Sequence, residues 1–365
     1  METDEQQSSW KDAILRSGYR PDAMPVPDGI VPIGGDMGAE DSDFEVSEIP
    51  AYMPCGSGEH LYLWVEKQGI ATQDVTKRIE RAFGVREIDV GCAGKKDVHA
   101  ITRQWISVQT ADDGSDATQR IDDPRIRVLQ IARHTNKLRT GHLLGNRFVV
   151  NLYGVTATDD VIAADCAKFS RDGFLNYFGA QRFGFDGGNV GHGIRVLLGG
   201  RANHQMKKLY VSALQSAMFN YHAAARYREC GFAVLPGDVM QKLRGGCFVC
   251  EAADTDSARA RNGEIVVTLP LPGKKVMQAK GKCLEREQAV EARFEQFWRD
   301  ARGCDVHIDQ LARFADGTRR PLWVCPDGVS FERFAPDAVR IAFSLPAGSY
   351  ATVFLRQLCG ASFTR

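Results

Sequence analysis

Asp97 stands in the stretch Gly91-Cys-Ala-Gly-Lys-Lys-Asp-Val-His-Ala-Ile-Thr-Arg-Gln104, with Lys95 and Lys96 before it and His99 and Arg103 after it. Cations near a carboxylate favour its charged form, and a charged carboxylate is fit for nucleophilic attack or proton abstraction. The glycines let the backbone turn after a strand, where a functional side chain can be held on a rigid frame. A salt bridge within a loop uses the same residue types, so spacing alone leaves the chemistry of Asp97 open. Other chemistries lack their patterns: the phosphate-loop spacing GxxxxGK[ST] is absent, as are HExxH and GxSxG. Cys247 and Cys250 have CxxC spacing, but no second pair or suitably spaced histidines follow, so no metal is expected.

The elements that would hold this segment follow from periodicity. His60–Lys67 puts Leu61, Leu63 and Val65 on alternate positions and predicts a half-buried strand. Thr72 is expected to cap a helix carrying Val75, Ile79 and Phe83, with Gly84 as its stop. Trp105–Val108 is strand-like, and Asn146–Val155 alternates Phe148, Val150 and Leu152 as a strand does. A helix is predicted over 159–171, then a Gly-rich aromatic loop, then long helices over about 203–230 and 284–302. Strands return at Leu322–Cys325 and Val339–Leu345, followed by a turn and a closing helix over about 350–358. Strands flanking a helical middle predict an α+β domain interrupted by an insertion, with the last strands completing the first sheet.

The chain of 365 residues has 46 Lys+Arg and 46 Asp+Glu, an ordinary globular composition long enough for two domains. The zero net charge hides an asymmetry. Residues 1–50 carry twelve acids and three bases, whereas Pro124–Thr158 contains no acid and six bases: Arg125, Arg127, Arg133, Lys137, Arg139 and Arg147. A basic block of that kind suits a polyanion, because each neutralised phosphate releases counterions. No stretch has the roughly 18 apolar residues of a membrane span, and the acidic start lacks a signal-peptide pattern. A cytosolic protein with reduced thiols and no membrane association is therefore expected.

Further motifs lie along the chain: Phe44-Glu-Val-Ser-Glu48, Ser57-Gly-Glu-His-Leu61, Lys137-Leu-Arg-Thr-Gly141, Gly145-Asn-Arg-Phe148, Asn176-Tyr-Phe-Gly-Ala-Gln-Arg-Phe-Gly184, Ser212-Ala with Ser216, Phe219 and Asn220, and Leu345-Pro-Ala-Gly-Ser-Tyr-Ala-Thr352. With Ala93-Gly-Lys-Lys-Asp-Val-His-Ala100, in this order across about residues 44–359, they resemble the TruD family of tRNA pseudouridine synthases. The resemblance implies a pseudouridine-synthase catalytic fold, a mixed and mostly antiparallel sheet with helices, over 43–171 plus 318–365. It also implies a largely helical insertion domain over 172–317; the acidic, Pro-dotted segment 1–42, weak in periodicity, lies outside the resemblance and reads as a loosely ordered arm.

The implied activity is isomerisation of uridine to pseudouridine, at position thirteen of tRNA in the bacterial type, with no cofactor. RNA is the expected partner, and no obligate protein partner is evident. Asp97 matches the family's catalytic aspartate, acting either on C1′ as a nucleophile or on C2′ as a base. Phe148 matches the residue that stacks on the flipped base, and Phe44, Asn146 and Tyr350 match further substrate contacts. Lys96, His99, Gln104, Arg133, Lys137 and Arg139 are expected to support the site or touch RNA. One departure stands out: relatives carry a lysine shortly before the Asp-Phe pair, and Met37–Asp43 has none. If that lysine pairs with the catalytic carboxylate, another base must do so here. The alternative is an RNA-binding relative with weakened or lost catalysis.

Overall fold

The computed structural model describes residues 24–243 and 245–364, so the first 23 residues of the expected acidic arm lie outside the description. Strands β1 (Gly34–Met37), β2 (Phe44–Pro50) and β3 (His60–Gln68) are followed by helix α1 (Thr72–Phe83). Next come β4 (Val90–Cys92), β5 (Ile101–Gln109), α2 (Ala117–Ile121), β6 (Ile126–His134), β7 (Leu143–Val155) and α3 (Asp159–Asp172). The middle of the chain forms β8 (Phe174–Leu175), α4 (Gly188–Leu197), α5 (His204–Cys230), β9 (Val239–Lys242), β10 (Cys247–Val249), α6 (Ala253–Arg261), β11 (Ile265–Leu271) and α7 (Gly281–Arg302). It ends with β12 (Thr318–Pro321) and β13 (Trp323–Val324), before β14 (Asp327–Ala335), β15 (Ala338–Pro346) and α8 (Ala351–Cys359).

Two compact units result among the described residues, one of residues 31–171, 326–351 and 358–364, the other of 24–30, 172–325 and 352–357. In the first, the sheet runs β14-β15-β7-β2-β5-β3-β6, with β1 on β7 and β4 on β5. Every pairing is antiparallel except β2 with β5. Residues 34–37 of the expected arm are a strand of this sheet, and Ile33 is fully buried. Strand β3 is buried on both faces. Leu61, Leu63 and Val65 pack with Val75 and Ile79 of α1, and Tyr62 packs with Trp105 and Leu138 on the other side. Gly84 ends α1 at φ 62° as expected.

The second unit is less helical than its sequence suggests. Its helices accompany a four-stranded antiparallel sheet, β10-β9-β11-β12. Leu322–Cys325 does not join the large sheet; Trp323 and Val324 pair with Leu175 and Phe174 instead. Strands β9 and β10 are short, and β11 is an apolar run without alternation, so periodicity could not identify them as strands. The Asn176–Gly184 motif holds this unit together. Asn220 of α5 clamps both backbone groups of Phe178, at 2.7 and 3.0 Å. Arg182 bonds Ser212 and Ser216 on the same helix. The Arg320 guanidinium lies 4.0 Å over the Phe178 ring and donates to the Asn176 side chain. The CxxC pair sits here, and all ten cysteines are free thiols.

Candidate active site

Antiparallel pairing and one parallel step bring five side chains into a single cross-strand row: Lys67, Thr102, Val46, Phe148 and Phe343. Residues two positions along each strand share the same face, which places Val65, Gln104, Glu48, Asn146 and Leu345 beside that row. A chemically mixed patch thus lies in the middle of an apolar sheet face. The loop joining β4 to β5, which carries Asp97, is tied to it.

Four hydrogen bonds pin that loop, at Gly94, Lys96 and Asp97. Gln104 Nε2 donates to the Gly94 carbonyl at 3.0 Å. The Thr72 hydroxyl accepts from the Lys96 amide at 3.0 Å and donates to Gln104 Oε1. Lys96 Nζ reaches Glu48 Oε2 at 3.0 Å, with 3% and 0% of the two side chains exposed. Finally, Lys67 Nζ donates to the Asp97 carbonyl at 2.5 Å. Asp97 itself is half-buried. Burial pushes the Glu48 carboxyl above its ordinary range, and the Lys96 ammonium pulls it back. Gly91 is needed for close approach rather than for its dihedral freedom, since a Cβ there would fall 2.2 Å from the Leu138 carbonyl.

The local sequence explains these ties. Thr72 does not cap α1; Ala71, whose methyl has no acceptor to offer, occupies that position, and the Thr72 hydroxyl is engaged by the loop instead. Near Gly38 no side chain fits. A Cβ at Gly38 would lie 2.0 Å from Asp43 Oδ2 and 2.6 Å from the Tyr153 ring. Asp43 is buried there and accepts hydrogen bonds from Asn151, Tyr153 and the Glu40 amide. The position that could have carried the expected lysine is filled by this cluster.

The aromatic candidates lie side by side. Phe148 stacks on Phe343 at 5.3 Å and on Phe44 at 6.0 Å, from strands on its two sides. Only 5% of Phe148 and 2% of Phe44 remain exposed, so both ring faces of Phe148 are engaged within the protein. Asn146 keeps its Oδ1 buried and without a hydrogen-bond partner. Tyr350 is half-buried just before α8.

The cationic candidates divide. Lys96 is turned inward to Glu48 and is not a surface group. His99 is exposed, with Nδ1 at 4.0 Å from Asp41. Arg133 donates to the carbonyls of Thr110, Ala111 and Asp112, and Lys137 to that of Ile88, so each side chain holds a loop. Arg125 and Arg127 are paired with Asp123 and Glu66, acids outside the acid-free stretch in sequence but beside it in space. Arg139 and Arg147 are exposed.

Sequence reasoning passed over Lys67, Glu48 and Thr72, whose strand and helix positions look ordinary until the loop is folded onto them. It also passed over a second acid-free run, 187–228, in the other unit, where Arg201, His204 and Lys208 are exposed. A count of acids along the chain would have found it. Among the described residues no His, Cys, Asp and Glu cluster could hold a metal ion, and no helix is long and apolar enough to cross a membrane.

Comparison with known proteins shows the family and the fold. A model of the tRNA pseudouridine synthase D (TruD) family matches residues 29–194 and 200–358. The tRNA pseudouridine synthase D of Anaeromyxobacter dehalogenans is 41% identical over 345 residues, covering 90% of this chain and 94% of the relative. The protein of the same name from Thermus thermophilus is 36% identical over 354 residues, with 93% of each covered. A solved structure from Methanosarcina mazei, described as a tRNA pseudouridine synthase D, superposes with a TM-score of 0.70 at 19% identity, over 95% of this chain and 98% of the other, and so shares the fold. The family match and the two close relatives each span nearly the whole chain, and the chain belongs to the TruD family of tRNA pseudouridine synthases.

Proposed function

We propose that the protein isomerises a uridine of tRNA, at position thirteen, to pseudouridine, with Asp97 acting at the ribose of the flipped-out nucleotide. The observation that carries this reading is the Asp97 loop, tied by four hydrogen bonds to a sheet face and the helix beside it. A reactive group must be held close to its productive geometry, and a loop so restrained does that without help from substrate.

The reaction balances without an external electron or group donor. The N1–C1′ bond breaks, the uracil turns, a C5–C1′ bond forms, and the C5 proton is lost as N1 gains one. Asp97 either attacks C1′ or takes a proton from C2′. Flipping a uridine out of folded RNA costs a few kcal/mol, and apolar and aromatic surface offsets part of it. Because both faces of Phe148 are covered, the base would meet the outer edge of the Phe44–Phe148–Phe343 row rather than an open ring face. Asn146 Oδ1, a buried acceptor without a donor, would be satisfied by the uracil N3–H.

Incubation of the purified protein with unmodified tRNA, followed by chemical mapping of pseudouridine, tests the reading. One pseudouridine at position thirteen, formed without added cofactor, is expected. Tight tRNA binding with no product would instead fit an RNA-binding relative without catalysis.

Affinity should come from exposed bases, not from those that hold loops. Arg139→Ala is expected to lower the slope of log K against log salt by about 0.7–0.9, and the Arg201→Ala, Lys208→Ala pair by about twice that. Filter binding over a salt series measures it; slopes equal to wild type would place these side chains away from RNA.

A further inference from the structure

We propose that Lys67 is a positioning residue for the reaction: its buried ammonium holds the Asp97 backbone and sets a positive charge beside the reacting carboxylate. This rests on the reading of Asp97 given above.

Two lysines are buried under this loop, and only one of them is neutralised. Lys96 has its carboxylate partner in Glu48. Lys67 is 2% exposed, and its Nζ bonds a backbone carbonyl, that of Asp97, with no carboxylate at ion-pair distance among the described residues. An ammonium carries three donors, so this group is under-satisfied where desolvation is expensive. Thr102, its cross-strand neighbour, is fully buried and leaves its hydroxyl without a partner. A neutral donor could hold the same carbonyl without that cost. Buried polar groups that break the packing rules in this way concentrate at functional sites.

The charged groups that act on Lys67 come from two segments, the loop that carries Lys96 and Asp97 and the turn before β2. Burial is the largest influence and lowers its pKa to about 8; Asp97 on the loop and Asp41 before β2 draw it towards the charged form, and Lys96 opposes them. Lys67 thus loses its proton within a pH range where an arginine would not.

The test compares wild type, Lys67→Met and Lys67→Arg in single-turnover pseudouridine formation at saturating tRNA from about pH 6 to 9, with tRNA affinity and melting temperature. Lys67→Met is expected to lose about 100-fold or more in rate, to keep tRNA Kd within about three-fold, and to melt no lower than wild type. The last point follows because an apolar chain of similar length replaces a buried charge. A purely structural lysine would instead lower the melting temperature. The wild-type rate should fall as pH rises through about 8, and that fall should be absent in Lys67→Arg, whose guanidinium does not titrate there. Uracil titrates identically in both and so cancels from the comparison.

A folded Lys67→Met with a rate within about three-fold of wild type overturns the proposal, as does an alkaline fall that persists unchanged in Lys67→Arg. Should neither variant fold, a wild-type rate that stays flat to pH 9 overturns it and an alkaline fall near 8 supports it. Wild-type protein that forms no pseudouridine at any pH overturns the reading of Asp97 as well, whereas an active wild type with an indifferent Lys67→Met overturns this proposal alone.

Discussion

Asp97→Asn is expected to reduce single-turnover pseudouridine formation by about 10⁴-fold or more while tRNA affinity stays within a few-fold. The amide is nearly isosteric, so the loop retains its ties through Gly94, Lys96 and the Asp97 carbonyl, none of which uses the Asp97 side chain. What is lost is an anionic oxygen that can attack C1′ or accept the C2′ proton. Affinity is carried by phosphate contacts elsewhere and should persist. Rate and binding measured on one preparation decide the matter. A variant that turns over within ten-fold of wild type would remove Asp97 from either chemical role, and one that also fails to bind tRNA would point to collapse of the loop.

The second large effect is on stability. Phe148→Ala is expected to cost about 3–5 kcal/mol, because the ring is 5% exposed and both its faces are covered, so truncation opens a cavity between Phe44 and Phe343. Stacking of the ring on each of these two neighbours is worth about 0.5–1.5 kcal/mol beyond burial and falls within that total. Phe148→Leu should lose much less, since it refills most of the volume. Denaturant titration followed by a signal from the sheet unit measures both. A Phe148→Ala protein that unfolds with wild type but reacts slowly would show that the ring is free to meet the base, contrary to its packing between Phe44 and Phe343.

Buried charge at the site gives a further contrast. Lys96 and Glu48 neutralise one another, and removing either partner alone would strand a buried charge. Lys67 has no such partner among the described residues, which is why its replacement by methionine is expected to separate rate from stability.

How much of this is legible in the sequence depends on how local each feature is. Helix α1 with its Gly84 stop, the strands around Leu63 and Phe148, and the long helix over about 203–230 could be read from sequence, because period and helix stops are properties of neighbouring residues. So could the family, through motifs spread along the chain. The strand at Leu322–Cys325 could be read as well, but not its partner: Trp323–Val324 pairs with Phe174–Leu175, about 150 residues away, and nothing in its own pattern specifies that pairing. The acid-free stretch 124–158 looked like one basic face, yet Arg127 meets Glu66 across strands and Arg133 turns into backbone carbonyls. Charge along a chain does not determine charge on a surface.

The same distinction governs the site. Residue types and order alone determined that this chain carries a carboxylate among cations, a sheet interrupted by an insertion, and the motifs of its family. Only the tertiary structure decided which lysine faces Asp97. Lys67 reads in sequence as the polar end of a strand; register against Thr102, and a loop that folds back over the sheet, turn it inward beneath Asp97. Gly38 is closed by Asp43 and Tyr153, which come together through strand pairing and not through sequence proximity. Hydrophobic period selects the face on which each side chain stands, but the neighbours on that face are chosen by strand order and register, and those are properties of the whole chain.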